Sequence, residues 1–83
     1  MRKSIHSAPY VILRKRLKEG RVAAALTQIE LSLKLGRPQS FVAKYEGGDR
    51  RLDVIEFTQI CDQLKLRAAV LLEEANSYCR DSD

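Results

Sequence analysis

Residues 26–36 read LTQIELSLKLG, and the conformation of this stretch constrains the whole chain. Ile29, Leu31, Leu33 and Leu35 alternate with polar residues, as the half-buried face of a strand would. Two signals oppose that reading. Thr27 followed three residues later by Glu30 is a capping box, which marks a helix start. Leu, Glu and Lys are good helix formers, and within the run only Ile29 is β-branched. Gly36 then supplies the left-handed residue that commonly closes a helix. As a helix, the alternation resolves into two interleaved i, i+4 strips: Leu31 with Leu35 toward the core, Ile29 with Leu33 beside them. The stretch is a helix.

The remaining segments repeat the helical period. Pro9 suits a first turn, where a missing N–H costs nothing. From Tyr10 to about Ala25, Leu13, Leu17, Val22 and Ala24 recur at helical spacing. Gly20 interrupts them at a cost of about 1 kcal/mol relative to Ala, so a kink or break is an open alternative there. Pro38 restarts a helix, and Val42 and Tyr45 point inward before Gly47-Gly48 ends it. Asp53 and Glu56 form a second box ahead of the stripe Val54, Phe57, Ile60, Cys61 and Leu64. A last amphipathic segment carries Leu71, Leu72, Ala75 and Tyr78. The expected fold is all-α, a compact bundle of five short helices spanning 9–83, preceded by a loose arm of residues 1–8.

With 83 residues the chain makes one domain, and with no Trp its core is aliphatic. No run of about 20 apolar residues exists to span a membrane, and the basic start lacks the apolar stretch of a secretion signal. Cys61 and Cys79 share no ligand spacing with each other or with His6, so neither a metal site nor a disulfide framework is expected. Cys61 reads as core and His6 as part of the arm. A reduced, cytoplasmic protein is the expectation. Residues 1–51 carry twelve Lys/Arg against four Asp/Glu, and residues 52–83 carry three against seven. That asymmetry suggests one surface turned toward a polyanion, although a solvated charge bias has the same composition. No carboxylate pair stands with a histidine or nucleophile in a catalytic arrangement, so no enzyme, catalytic residue or cofactor is expected.

Two short helices joined by a glycine-containing turn are a helix-turn-helix. The crossing requires a small residue on the first helix, met by Ser32, a glycine-type turn, met by Gly36, and an apolar anchor on the second, met by Val42.

From about Arg21 to Leu72 the chain resembles the Cro and phage-repressor type of helix-turn-helix, the xenobiotic-response-element class of regulators. The elements that carry the resemblance are LTQIEL, the Leu35-Gly36 turn, SFVAKYEGG and RRLDV. Ala25 stands where the family often has Gly, and Pro38 replaces the usual Ser or Thr. The resemblance implies a five-helix, lambda-repressor-like domain that binds double-stranded DNA as a homodimer on a roughly palindromic operator, most often as a repressor.

Carried over by position, it implies that the helix from Gln39 to Glu46 enters the major groove N-terminus first. Gln39 would pair with adenine, Ser40 with several base edges, and Lys44 with guanine or a nearby phosphate. Gln28, Arg37, Arg50 and Arg51 would hold phosphates. Gln39 and Ser40 also suit an exposed helix end, Arg50 and Arg51 a solvated turn, and Phe41 either a thymine methyl or the core. Arg21 and Glu46 are implied to form an ion pair that locks the reading helix to its scaffold. Leu71, Leu72, Ala75 and Tyr78 are the dimerisation candidates. An antitoxin that binds a toxin protein, with autoregulatory DNA binding, is the alternative, and a restriction-modification controller is a variant of the first reading. The hint for a protein partner is the Ile29–Leu33 strip; packing of that strip on Tyr10 or Leu13 is the preferred expectation.

Overall fold

Reciprocal caps start two of the five helices, and left-handed turns end four of them. The structure is a computed structural model that describes residues 7–81, with side chains described for residues 7–77. The helices are α1 (Ala8–Ala23), α2 (Gln28–Lys34), α3 (Phe41–Glu46), α4 (Val54–Leu64) and α5 (Ala68–Asp81), with no strand among the described residues. His6 and most of the expected arm, together with the side chains of Tyr78 and Cys79, lie outside what is described.

In α2 the Glu30 amide donates to Thr27 Oγ1 at 3.0 Å, and the Thr27 amide donates to Glu30 Oε1 at 2.8 Å. Asp53 and Glu56 repeat this exchange at the start of α4, at 2.7 and 3.0 Å. Each box satisfies two amides that a helix start leaves unpaired. The N-cap of α1 is Ser7, whose hydroxyl accepts from the Tyr10 amide, and Pro9 occupies the first turn.

The helix ends share one device. After α1, the Ala25 amide donates to the Val22 carbonyl and the Leu26 amide to the Arg21 carbonyl, the double bond of a Schellman turn. The same pair recurs after α2, α3 and α4, around Gly36, Gly48 and Lys65. All four pivots are left-handed, and two of them, Ala25 (φ 60°) and Lys65 (φ 59°), are not glycine. A Cβ in that region costs about 1–2 kcal/mol, while glycine gains about 0.4–1 kcal/mol of freedom in the unfolded chain. Ala25→Gly is therefore expected to stabilise the protein by about 0.5–1 kcal/mol, read as a higher urea midpoint with unchanged slope.

Helix α1 runs unbroken through Gly20. The reason for glycine is proximity: a Cβ there would come within 2.7 Å of Leu66 Cδ1, so the α4–α5 turn closes directly onto the α1 backbone. α1 also lies along α5 and touches α3 and α4, and α2 packs on α3. The core gathers Leu17, Leu31, Phe41, Val42, Tyr45, Phe57, Ile60, Cys61, Leu64 and Leu71. Burial pushes the Cys61 thiol up to about 11, which leaves it an unreactive core residue.

Two expectations change. Leu71 and Ala75 are buried in the chain's own core, because α5 turns them toward α1 and α4; of the dimerisation candidates with described side chains, only Leu72 is exposed. Ile29 (48% exposed) and Leu33 (59%) stay exposed where packing on Tyr10 or Leu13 is the expectation, and it is Leu31 and Ser32 that α2 buries.

Candidate nucleic-acid interface

The α2–α3 crossing is organised by one hydroxyl. Ser32 is fully buried, its Oγ donating to the Gln28 carbonyl at 2.9 Å and accepting from the Val42 amide at 3.1 Å. Ser40, the N-cap of α3, makes no side-chain cap bond. The cap of α3 is thus supplied from the neighbouring helix. This also explains why α3 begins at Phe41 and not at Gln39 as expected. The Phe41 amide closes a tight turn onto the Pro38 carbonyl, Val42 turns to Ser32, and the first full helical bond runs from Lys44 to Ser40. Gln39 and Ser40 sit in the turn before the helix, both exposed. Ser32→Ala would leave the Val42 amide buried without a partner; a loss of about 1–3 kcal/mol is expected in thermal or urea unfolding, with Ser32→Cys or Ser32→Gly no better.

Behind α3, Glu46 fixes the helix to the scaffold. Its Oε2 accepts from Arg21 Nε at 2.7 Å, and its Oε1 accepts from Arg21 Nη2 at 3.1 Å and Gln28 Nε2 at 2.8 Å. Arg21 Nη1 completes the cluster by donating to the Leu26 carbonyl at 2.8 Å. The Glu46 side chain is 4% exposed and that of Arg21 11%, so this is a desolvated pair whose hydrogen bond raises the Arg21 pKa. Gln28 thereby commits one amide hydrogen to Glu46, inside the tie between α1, α2 and α3.

In front, cations gather around an aromatic ring. The guanidinium carbons of Arg37 and Arg50 lie 4.8 and 5.0 Å from the centre of the Phe41 ring, which is itself buried edge-on to Tyr45. Both arginines also reach Glu56, Arg37 at 3.0 Å and Arg50 through two bonds at 2.9 and 2.8 Å. The Arg50 hydrogen bond, with the Asp53 amide and both guanidinium charges, holds the Glu56 carboxyl down at about 2 against the cost of its burial. Arg37, Pro38, Ser40, Phe41, Lys44 and Arg50 line a pocket of about 190 Å³. Lys44 and Arg51 are exposed, and the Arg51 carbonyl accepts from Arg50.

The helix-turn-helix is legible in the sequence, whereas the roles of two residues are not. Glu56 carries the signature of a cap, and capping and ion pairing use the same carboxylate. Ser32 carries the signature of a small crossing residue, although a hydroxyl in a helix otherwise lined by Leu and Ile is a signal that it bonds something. Among the described residues no three His, Cys, Asp or Glu side chains are grouped to hold a metal ion, and no helix is long and apolar enough to cross a membrane.

No family model and no curated protein matches the chain. Among solved structures it is similar to an XRE-family like protein from Pseudomonas syringae pv. tomato str. DC3000. The two are 47% identical over 90% of this chain and 92% of that one, with a TM-score of 0.79.

Proposed function

Because the chain belongs to the XRE family, the Cro and phage-repressor type of helix-turn-helix, we propose that it is a sequence-specific regulator of transcription that binds double-stranded DNA. The observation that carries this reading is the division of α3. Phe41, Val42, Tyr45 and Glu46 are held by the scaffold, while Gln39 and Ser40 in the turn before the helix and Lys44 in its last turn stand exposed, with Arg37, Arg50 and Arg51 on the flanking turns. Gln39 reads adenine through its amide, Ser40 supports it, and Lys44 reaches a guanine edge or an adjacent phosphate. Arg37, Arg50, Arg51 and the second amide hydrogen of Gln28 serve phosphates, which position the helix without reading sequence.

A six-residue helix covers few base pairs, so useful specificity calls for two copies with half-sites roughly 34 Å apart on a palindromic operator. Exposed apolar residues on α4 and α5, Val54, Ile55 and Leu72, support a homodimer contact in that region. Repression by occupancy of the operator, at the DNA of the cytoplasm, is the simplest mode for such a domain. Selection from random duplex DNA tests the reading. An enriched inverted repeat, with Gln39→Ala costing about 1–3 kcal/mol at one base position and little at others, is expected. Sequence-blind binding at every salt concentration refutes it.

One observation favours a second reading. The exposed Ile29–Leu33 strip leaves an apolar face on α2 that the fold itself does not cover. That supports the antitoxin-type alternative, in which a toxin protein covers the strip. A stoichiometric companion on purification from the native host would favour it, and a restriction enzyme gene alongside would favour the controller variant.

A further inference from the structure

Arg37 and Arg50 lie within 5.0 Å of the same ring, where two like charges repel unless something offsets them. Glu56 does so from behind. Its Oε1 accepts from Arg50 Nη1 at 2.9 Å and from the Asp53 amide at 3.0 Å; its Oε2 accepts from Arg50 Nη2 at 2.8 Å and forms an ion pair with Arg37 Nη2 at 3.0 Å. Three hydrogen bonds and the Arg37 ion pair engage both oxygens of the carboxylate, and its side chain is 8% exposed. The pocket in front is lined by Arg37, Ser40, Lys44 and Arg50 with Pro38 and Phe41, and by no carboxylate. Glu56 therefore occupies the back of the two guanidiniums and leaves their pocket side cationic.

The donors divide unequally. Of the five N–H groups of Arg50, two go to Glu56 and one to the Arg51 carbonyl, whereas Arg37 meets Glu56 through the ion pair alone. Arg50 is the more firmly anchored, and Arg37 keeps more donors for a ligand.

We propose that Glu56 is a positioning residue for one backbone phosphate of the DNA, holding Arg37 and Arg50 convergent so that they close on that phosphate together with Lys44 and the Ser40 hydroxyl. This rests on the DNA-binding reading above. Arg37 is the principal donor and Arg50 the strut beside it. Glu56 touches no nucleic acid itself.

The sign of one substitution tests the assignment. Glu56→Gln retains an acceptor for the α4 cap and adds one positive charge to this face, so simple electrostatics calls for tighter, more salt-sensitive binding. Positioning calls for the opposite. Titration of a labelled random-sequence duplex across a salt series is expected to show affinity reduced about tenfold and a salt slope shallower by about one contact. In an Arg37→Ala background, Glu56→Gln is expected to add little. Equal or tighter binding by Glu56→Gln, with unchanged or steeper slope, overturns the inference and leaves the DNA-binding reading intact.

The wild-type protein supplies a test that does not depend on the variant folding. NMR of the arginine Nε–Hε groups is expected to find Arg37 and Arg50 ordered, with inorganic phosphate shifting the Arg37 signal. Arg37 as mobile as the exposed Arg67 overturns the inference. A wild-type protein that binds no duplex at low salt, yet shows the phosphate response, refutes the DNA reading and leaves the anion site standing; the absence of both responses refutes both.

Discussion

Glu46→Ala lowers the melting temperature by more than about 10 °C, whereas Glu30→Ala shifts it by a few degrees. Both residues are glutamates on short helices, and the difference lies in what each leaves behind. Removing Glu46 strands the Arg21 guanidinium in a site where its side chain is 11% exposed, and orphans the Gln28 amide. Breaking a buried pair from one side costs about 3–5 kcal/mol, because the remaining charge has lost its water as well as its partner. For a domain of this size each kcal/mol is worth roughly 4–8 °C. Glu30 is exposed, and its loss frees an amide that water can reach. Glu46→Gln keeps hydrogen-bond acceptance and is expected to fall between the two. Thermal melts followed by circular dichroism decide the matter, and equal midpoints for Glu46→Ala and Glu30→Ala would falsify the locking role.

Acid exposes the second large effect. The folded-state pKa of Glu56 is depressed to about 2 from an ordinary 4.5, first by the Arg50 hydrogen bond and then by the Asp53 amide and the guanidinium charges. A depressed carboxylate pKa contributes stability that is fully present above the unfolded value. It is lost as pH falls from about 4.5 toward 2, because the unfolded chain takes up the proton first. The shift corresponds to roughly 3 kcal/mol at neutral pH. Urea unfolding of wild type and Glu56→Gln at pH 6 and again near pH 2.5 isolates this group from the other carboxylates. The gap between the two proteins should shrink by most of that amount at the lower pH. A gap that stays constant would mean that Glu56 does not titrate as the ion pairs require.

The parts of the fold legible in the sequence are those fixed by neighbours a few residues apart. Thr27–Glu30 and Asp53–Glu56 place two helix starts because capping is a local exchange of hydrogen bonds. Gly36 and Gly48 mark left-handed ends for the same reason, while Ala25 and Lys65 adopt that conformation without a residue type that announces it. α3 starts at Phe41, two residues later than local signals imply, because its cap comes from Ser32, ten positions before Val42. Leu71 and Leu72 are adjacent apolar residues that periodicity alone does not separate, and the packing of α5 on α1 buries one and exposes the other. In the candidate site, residue type and order pointed to the cations around α3. Their shared carboxylate was out of reach, since Glu56 meets Arg37 across nineteen positions of chain and a full change of helix.

The division of labour along α3 has a consequence for how such a protein changes over time. The side chains that hold the helix and those that face outward are different residues on the same six-residue segment and the turn before it. Gln39, Ser40, Ala43 and Lys44 are exposed, so a library randomised at these four positions should return mostly folded proteins. Target preference can then drift by single substitutions while the scaffold stays still, and a duplicated copy could diverge to a new binding sequence without passing through an unfolded ancestor.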